Sequence, residues 1–94
     1  MSRIIRRLIW DAWNIEHIKR HGILPHDIEW VLTNPNPKPL FQKSRAGTLA
    51  AWGKSKDERY LLVILAMRES GAYYPVTARP MSTREKHRFL RKIR

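Results

Sequence analysis

Apolar residues recur along this chain with two periods, and the change from one to the other divides it into helical and extended parts. Arg3 to Trp10 alternates loosely and is rich in Ile, which predicts a first strand with Ile4, Leu8 and Trp10, or their neighbours, on its apolar face. Asp11 stands where an N-cap is needed, because its carboxylate can accept from the free amides of a helix running through AWNIEHIKRH. Gly22 supplies the left-handed stop, and Ile15 and Ile18 face inward. Pro25 suits the first turn of a second helix, in which Ile28, Val31 and Leu32 recur at helical spacing until about Asn34. Pro35, Pro37 and Pro39 occupy every second position of the next stretch, so NPNPKPLF is expected to be a stiff connection without regular structure.

From Thr48 the pattern turns to strand. TLAAWGKS, a turn around Lys56 to Glu58 and RYLLVILAM predict a hairpin, and the second run is apolar on both faces, as a central strand is. A further turn at Glu69 to Gly71 leads into AYYPVTAR, where Pro75 removes a ladder donor and demands a sheet edge or a bulge. Ser82 is a natural N-cap for the last helix, and Glu85, three residues on, completes a capping box. Phe89, Leu90 and Ile93 give this helix one apolar stripe among basic residues. The expected order is β-α-α-β-β-β-α, an α+β domain with a small antiparallel sheet packed by helices and spanning residues 1–94.

Charge changes the picture more than composition does. With 19 Lys and Arg against 8 Asp and Glu, the chain carries a formal +11, which calls for an anionic partner. Seven of those cations fall between Arg79 and Arg94, where only Glu85 is acidic. Cysteine is absent, which excludes disulfides and thiolate metal sites. The longest apolar run, Tyr60 to Met67, is far short of the roughly 20 residues of a membrane span, and no signal-peptide pattern opens the chain, so a cytoplasmic protein is expected.

Arg84, Lys86, Arg88, Arg91 and Lys92 form the expected phosphate-tracking surface, since guanidinium forks grip phosphate oxygens and counterion release supplies affinity. Trp52 and Tyr73, both on strands, are the aromatic residues expected to stack on bases. Arg59, Arg79 and Glu85 lie at strand ends and a helix start that can converge on one concave spot. There an arginine would stabilise charge on a phosphorane, while Glu85 or His87 moves protons. His17 and His21 have the i,i+4 spacing of metal ligands, but no matching carboxylate completes a site. Packing of His17 beside Trp13 and a favourable place for His21 at the helix C-terminus explain them better, and neither metal nor other cofactor is expected.

These residues, taken together, resemble the BrnT-type toxins of the RelE-like ribonuclease group. The resemblance rests on Trp10-Asp11, on RHGI at Arg20 to Ile23, and on Gly53, Ser55, Arg59 and Leu61 in the pattern G-x-[ST]-x-x-x-R-x-L. VTAR at Val76 to Arg79 is similar to the family's strand end, and Ser82 and Glu85 fall on its T-x-x-E helix start. Such a resemblance implies a RelE-like fold and metal-independent cleavage of RNA, free or on the ribosome, through the 2′-hydroxyl. It also implies a cognate antitoxin, usually of ribbon-helix-helix type, whose complex with the toxin represses the operon. Arg59, Arg79 and Glu85 match the family pattern, and His87 is an addition from the chain's own chemistry. Pro80 and Phe89 stand where a lysine and a tyrosine are common. Two rivals therefore accompany the ribonuclease reading: a domain of the same fold that grips RNA or ribosomes without cutting, and a regulatory subunit that docks on an acidic partner.

Overall fold

The structure, a computed structural model, describes residues 5–93. Its elements are β1 (Arg7–Leu8), α1 (Ala12–Lys19), α2 (Pro25–Thr33), β2 (Leu40–Lys43), β3 (Thr48–Lys54), β4 (Tyr60–Glu69), β5 (Ala72–Pro80) and α3 (Thr83–Lys92). The strands form one five-stranded sheet in the order β1-β5-β4-β3-β2. The class is α+β as expected, with two departures in the sheet. β1 is only two residues long and runs parallel to β5, pairing Arg7 with Ala72 and Leu8 with Tyr73, so the sheet is mixed. The Ile4 end of the expected first strand lies outside the described residues, as does Arg94. The end of the proline-rich connection also forms a strand: once past Pro39 the backbone has its donors again, and β2 pairs antiparallel with β3.

Local chemistry sets the helix ends where the sequence places them. Asp11 accepts from the Asn14 amide at 3.0 Å, and the Asn14 carboxamide accepts from the Asp11 amide at 2.9 Å. Asn14 is fully buried, and its Nδ2 donates to the Ile9 carbonyl. Gly22 has φ 71°, the left-handed stop expected of it. Asp27, three residues into the second helix unit, accepts from the Leu24 amide at 2.8 Å. At α3, Ser82 and Glu85 form the reciprocal cap, with Glu85 N donating to Ser82 Oγ at 3.1 Å and Ser82 N donating to Glu85 Oε1 at 2.8 Å.

The core lies on one face of the sheet, where Ile18 of α1, Ile23 of the α1–α2 connection, and Ile28 and Val31 of α2 meet Leu49, Ala51, Leu61, Val63, Leu65 and Ala78. Gly53 lets α2 approach β3, since a Cβ there would stand 2.7 Å from the Val31 Cγ1 methyl. The opposite face takes α3, whose Phe89 is 2% exposed and meets Tyr60 edge to face at 6.0 Å. Helices on the two sides thus share a sheet that must alternate cleanly between them.

Pro75 does not make β5 an edge strand. The register shifts between Ile64, paired with Thr77, and Leu65, paired with Pro75, which leaves Val76 as the extra residue of a bulge. That extra residue reverses the alternation along β5. Tyr73 and Arg79, six positions apart, would share a face in a regular strand; here they point to opposite faces.

Candidate nucleic-acid interface

Register carries one row of side chains across the α3 face: Leu40 of β2 pairs with Trp52 of β3, Trp52 with Leu62 of β4, and Leu62 with Arg79 of β5. Directly paired residues point the same way, so an apolar and aromatic row ends in a guanidinium. Arg79 and Glu85 meet there as a bidentate pair, with Nη1 donating to Oε1 at 2.7 Å and Nη2 to Oε2 at 2.8 Å. The Arg79 side chain is 44% exposed and that of Glu85 20%. The hydrogen bonds from Arg79, with help from the Ser82 cap, hold the Glu85 carboxyl at about 2, far below the usual carboxylate value. Glu85 raises the Arg79 pKa in turn.

The basic residues of α3 divide into three groups by the helical turn of about 100° per residue. Arg88 and Lys92, one turn apart, line a groove together with Glu85, Phe89, Trp52, Leu40 and Gln42. Lys86 takes the other flank, its Nζ 4.7 Å from the centre of the Tyr60 ring, and Lys54 of β3 reaches the same ring at 5.8 Å. Arg84 and Arg91 share the outer side with His87, at positions i−3 and i+4 from it. Among the described residues no carboxylate lies within 4 Å of the five Lys and Arg residues of α3, whereas Lys54 has Glu58 at 3.4 Å.

Three expectations are corrected by this arrangement. His87 is two positions from both Glu85 and Phe89, about 200° around the helix, so its exposed ring faces away from the Arg79–Glu85 pair. Tyr73 is 6% exposed and belongs to the core on the α1–α2 face, where the bulge at Val76 turns it, so it offers no open ring for stacking. Arg59 stands on that same side: it follows the alternation of Leu61 and Val63, and its guanidinium donates from Nη1 to the Gly22 carbonyl at 2.7 Å and from Nη2 to Asp27 Oδ2 at 2.9 Å. Its Nε lies 2.9 Å from Asp57 Oδ2. Asp57 also accepts from the Ser55 hydroxyl, which in turn accepts from the Arg59 amide, so the hairpin turn is tied around this arginine. With the α1–α2 junction, a buried aspartate and the β3–β4 turn as its partners, Arg59 holds the fold together, and the sheet separates it from Arg79.

Arg79, Glu85, Trp52, Arg88 and Lys92 are brought together, and Lys86 lies on the adjoining flank. Sequence reasoning passed over Leu40, Gln42 and Lys54, and did not choose Tyr60 among the aromatic residues expected to stack. The first two sit in a strand that the prolines concealed. Lys54 and Tyr60 had a legible signal, since they are the last and first residues of the two hairpin strands and face each other in register.

No protein-family model matches the chain, and no curated protein sequence does. Among solved structures it is similar to the crystal structure of the ribonuclease toxin BrnT of Brucella abortus, at 24% sequence identity, over 81% of this chain and 96% of that one, with a TM-score of 0.62. The chain therefore has the BrnT fold, the architecture its short motifs implied.

Proposed function

We propose that this protein is a ribonuclease toxin of a toxin–antitoxin pair, cutting RNA without a metal. The observation that carries the reading is the Arg79–Glu85 pair at the end of an apolar row that includes Trp52, flanked on one side of α3 by Arg88 and Lys92 and on the other by Lys86, none of which has a carboxylate within 4 Å among the described residues. Similarity of fold to a ribonuclease toxin supports it. A phosphate entering beside α3 competes with Glu85 for the Arg79 fork, because both are planar or tetrahedral oxyanions of matching bite. Once Arg79 moves to the phosphate, Glu85 loses the partner that holds its carboxyl near 2 and becomes a better base. Glu85 then takes the proton of the 2′-hydroxyl as that oxygen attacks phosphorus. Arg79 stabilises the phosphorane charge, and the bond to the 5′-oxygen breaks. The products are a cyclic phosphate and a 5′-hydroxyl, whose proton comes from water. A ribbon-helix-helix antitoxin would cover the cationic surface, the pair repressing its own operon, and the RNA would be taken free or on the ribosome.

A second reading, RNA gripping without cutting, is favoured by one feature. In the resting site Glu85 is ionised and occupied, His87 faces away and Arg59 lies across the sheet, so of the four residues expected to converge only Arg79 and Glu85 meet. Incubating purified protein with RNA in EDTA separates the two readings. Fragments ending in cyclic phosphate, lost in Arg79→Ala, support the ribonuclease. Intact RNA with salt-sensitive binding supports the binder. Induced expression in a bacterial host, wild type against Arg79→Ala, tests toxicity: arrest by wild type alone is expected, and equal arrest by both removes Arg79 from the site.

A further inference from the structure

The groove beside α3 has a makeup that phosphate binding alone does not explain. It is a cleft of about 260 Å³, below the size of most pockets for drug-sized ligands and suited to a single flat ring system. Its lining includes the partly buried indole of Trp52 with Leu40 beside it, and the buried Phe89 closes its inner side. Gln42, on the same face of β2 as Leu40, brings to the rim a carboxamide that both donates and accepts. Arg88 and Lys92 make the outer wall, and Glu85, the partner of Arg79, stands at one end.

We infer that this groove is the seat of one unpaired nucleobase, the base stacking on Trp52 while the flanking phosphates run along Arg88 and Lys92 toward Arg79. The inference rests on the reading of the protein as RNA-directed and adds where the base is held and what selects it. Charge decides the occupant: an apolar side chain of a protein partner would fill the cleft but leave two cations unmatched, whereas a nucleotide supplies a flat face and an anion at the spacing of one residue. Single-stranded RNA is required, since a base already stacked in a duplex has no face to offer. Gln42 can pair with donor and acceptor on one base edge, which makes it the residue that sets base preference. Residues Glu85 to Lys92 span about 10 Å of helix, so the base in the groove belongs to the nucleotide next to the phosphate at Arg79.

The test compares two labelled ligands of equal length and charge, read by fluorescence anisotropy with the full chain. One is a 2′-O-methyl RNA heptamer, which cannot be cut; the other is the same backbone without bases. Wild type is expected to bind the base-bearing oligomer about tenfold more tightly, the low end of what stacking on one aromatic ring supplies. Trp52→Leu should erase that ratio while keeping the affinity for the abasic backbone, and Gln42→Leu should change the order of preference among the four homopolymers. Equal binding of both ligands by wild type overturns the base subsite while leaving the polyanion surface intact. Binding of neither ligand overturns the RNA reading itself. The wild-type comparison needs no variant to fold, and circular dichroism checks the two that are used.

Discussion

Replacing Glu85 by Gln tests the central pair without touching the core. The substitution removes a charge that Arg79 holds through two hydrogen bonds of 2.7 and 2.8 Å and weakens the cap at Ser82. A carboxyl lowered from its ordinary 4.5 to about 2 corresponds to an upper bound of about 3 kcal/mol. Arg79 is 44% exposed, however, and solvent screening reduces a pair of this kind to roughly 1–2 kcal/mol. Because the folded pKa of Glu85 is depressed, its contribution is fully present above about pH 4.5 and disappears as pH falls toward 2. Urea unfolding of wild type and Glu85→Gln at a series of pH values from 7 to 2.5 reads this directly. The difference in stability should be about 1–2 kcal/mol at pH 7, begin to shrink below pH 4.5 and be mostly gone at pH 2.5. Other carboxylates titrate in the same range but cancel in the difference. In an Arg79→Ala background the same substitution should leave only the smaller cap contribution. A difference that stays constant across the series would mean that Glu85 is not held by charge, and the account of a paired resting site would be wrong.

Arg59→Ala should destabilise the protein by about 3 kcal/mol in urea unfolding, because Asp27, with a side chain 7% exposed, would lose its arginine and keep only the Leu24 amide and the more distant His26 ring. A loss below about 1 kcal/mol would return Arg59 to the list of surface residues free for another task. Glu58 adopts φ 66° in the β3–β4 turn, and Glu58→Gly should raise stability by about 1 kcal/mol in the same assay, outweighing the exposed contact of 3.4 Å to Lys54; a lower midpoint would show that the turn is not strained. His87→Ala should leave RNA cleavage unchanged within about twofold between pH 5 and 8, since the ring is on the outer side of α3; a lost limb of the pH profile would restore it to the chemistry.

Much of the fold was legible because its signals are local. Asp11, Gly22, Pro25, Ser82 and Glu85 act within four residues of their own position, through caps and dihedral preferences that need no distant partner, and the helices begin and end beside them. The hairpin of β3 and β4 is likewise a matter of alternation and a short turn. The Arg79–Glu85 pair was also within reach, being six residues apart across a strand end and a capped helix start.

What only the tertiary structure decided is which side of the sheet each residue serves. Alternation tells neighbours apart but does not name the face; that depends on pairing register and on where the core forms. One bulge at Val76 turns Tyr73 into the core and Arg79 out to α3, and a bulge is visible only against the partner strand. Arg59 goes to the α1–α2 side because Asp27, 32 residues away, offers it a buried carboxylate there. The groove sets α3 against β2 and β3, so that residues 33 or more positions apart, such as Trp52 and Glu85, line one cleft, and no local preference encodes such a meeting. Composition and caps thus established a basic α+β domain with a charged last helix. The burial of apolar rows on one face then selected which cations remain on the other, free to meet an anion.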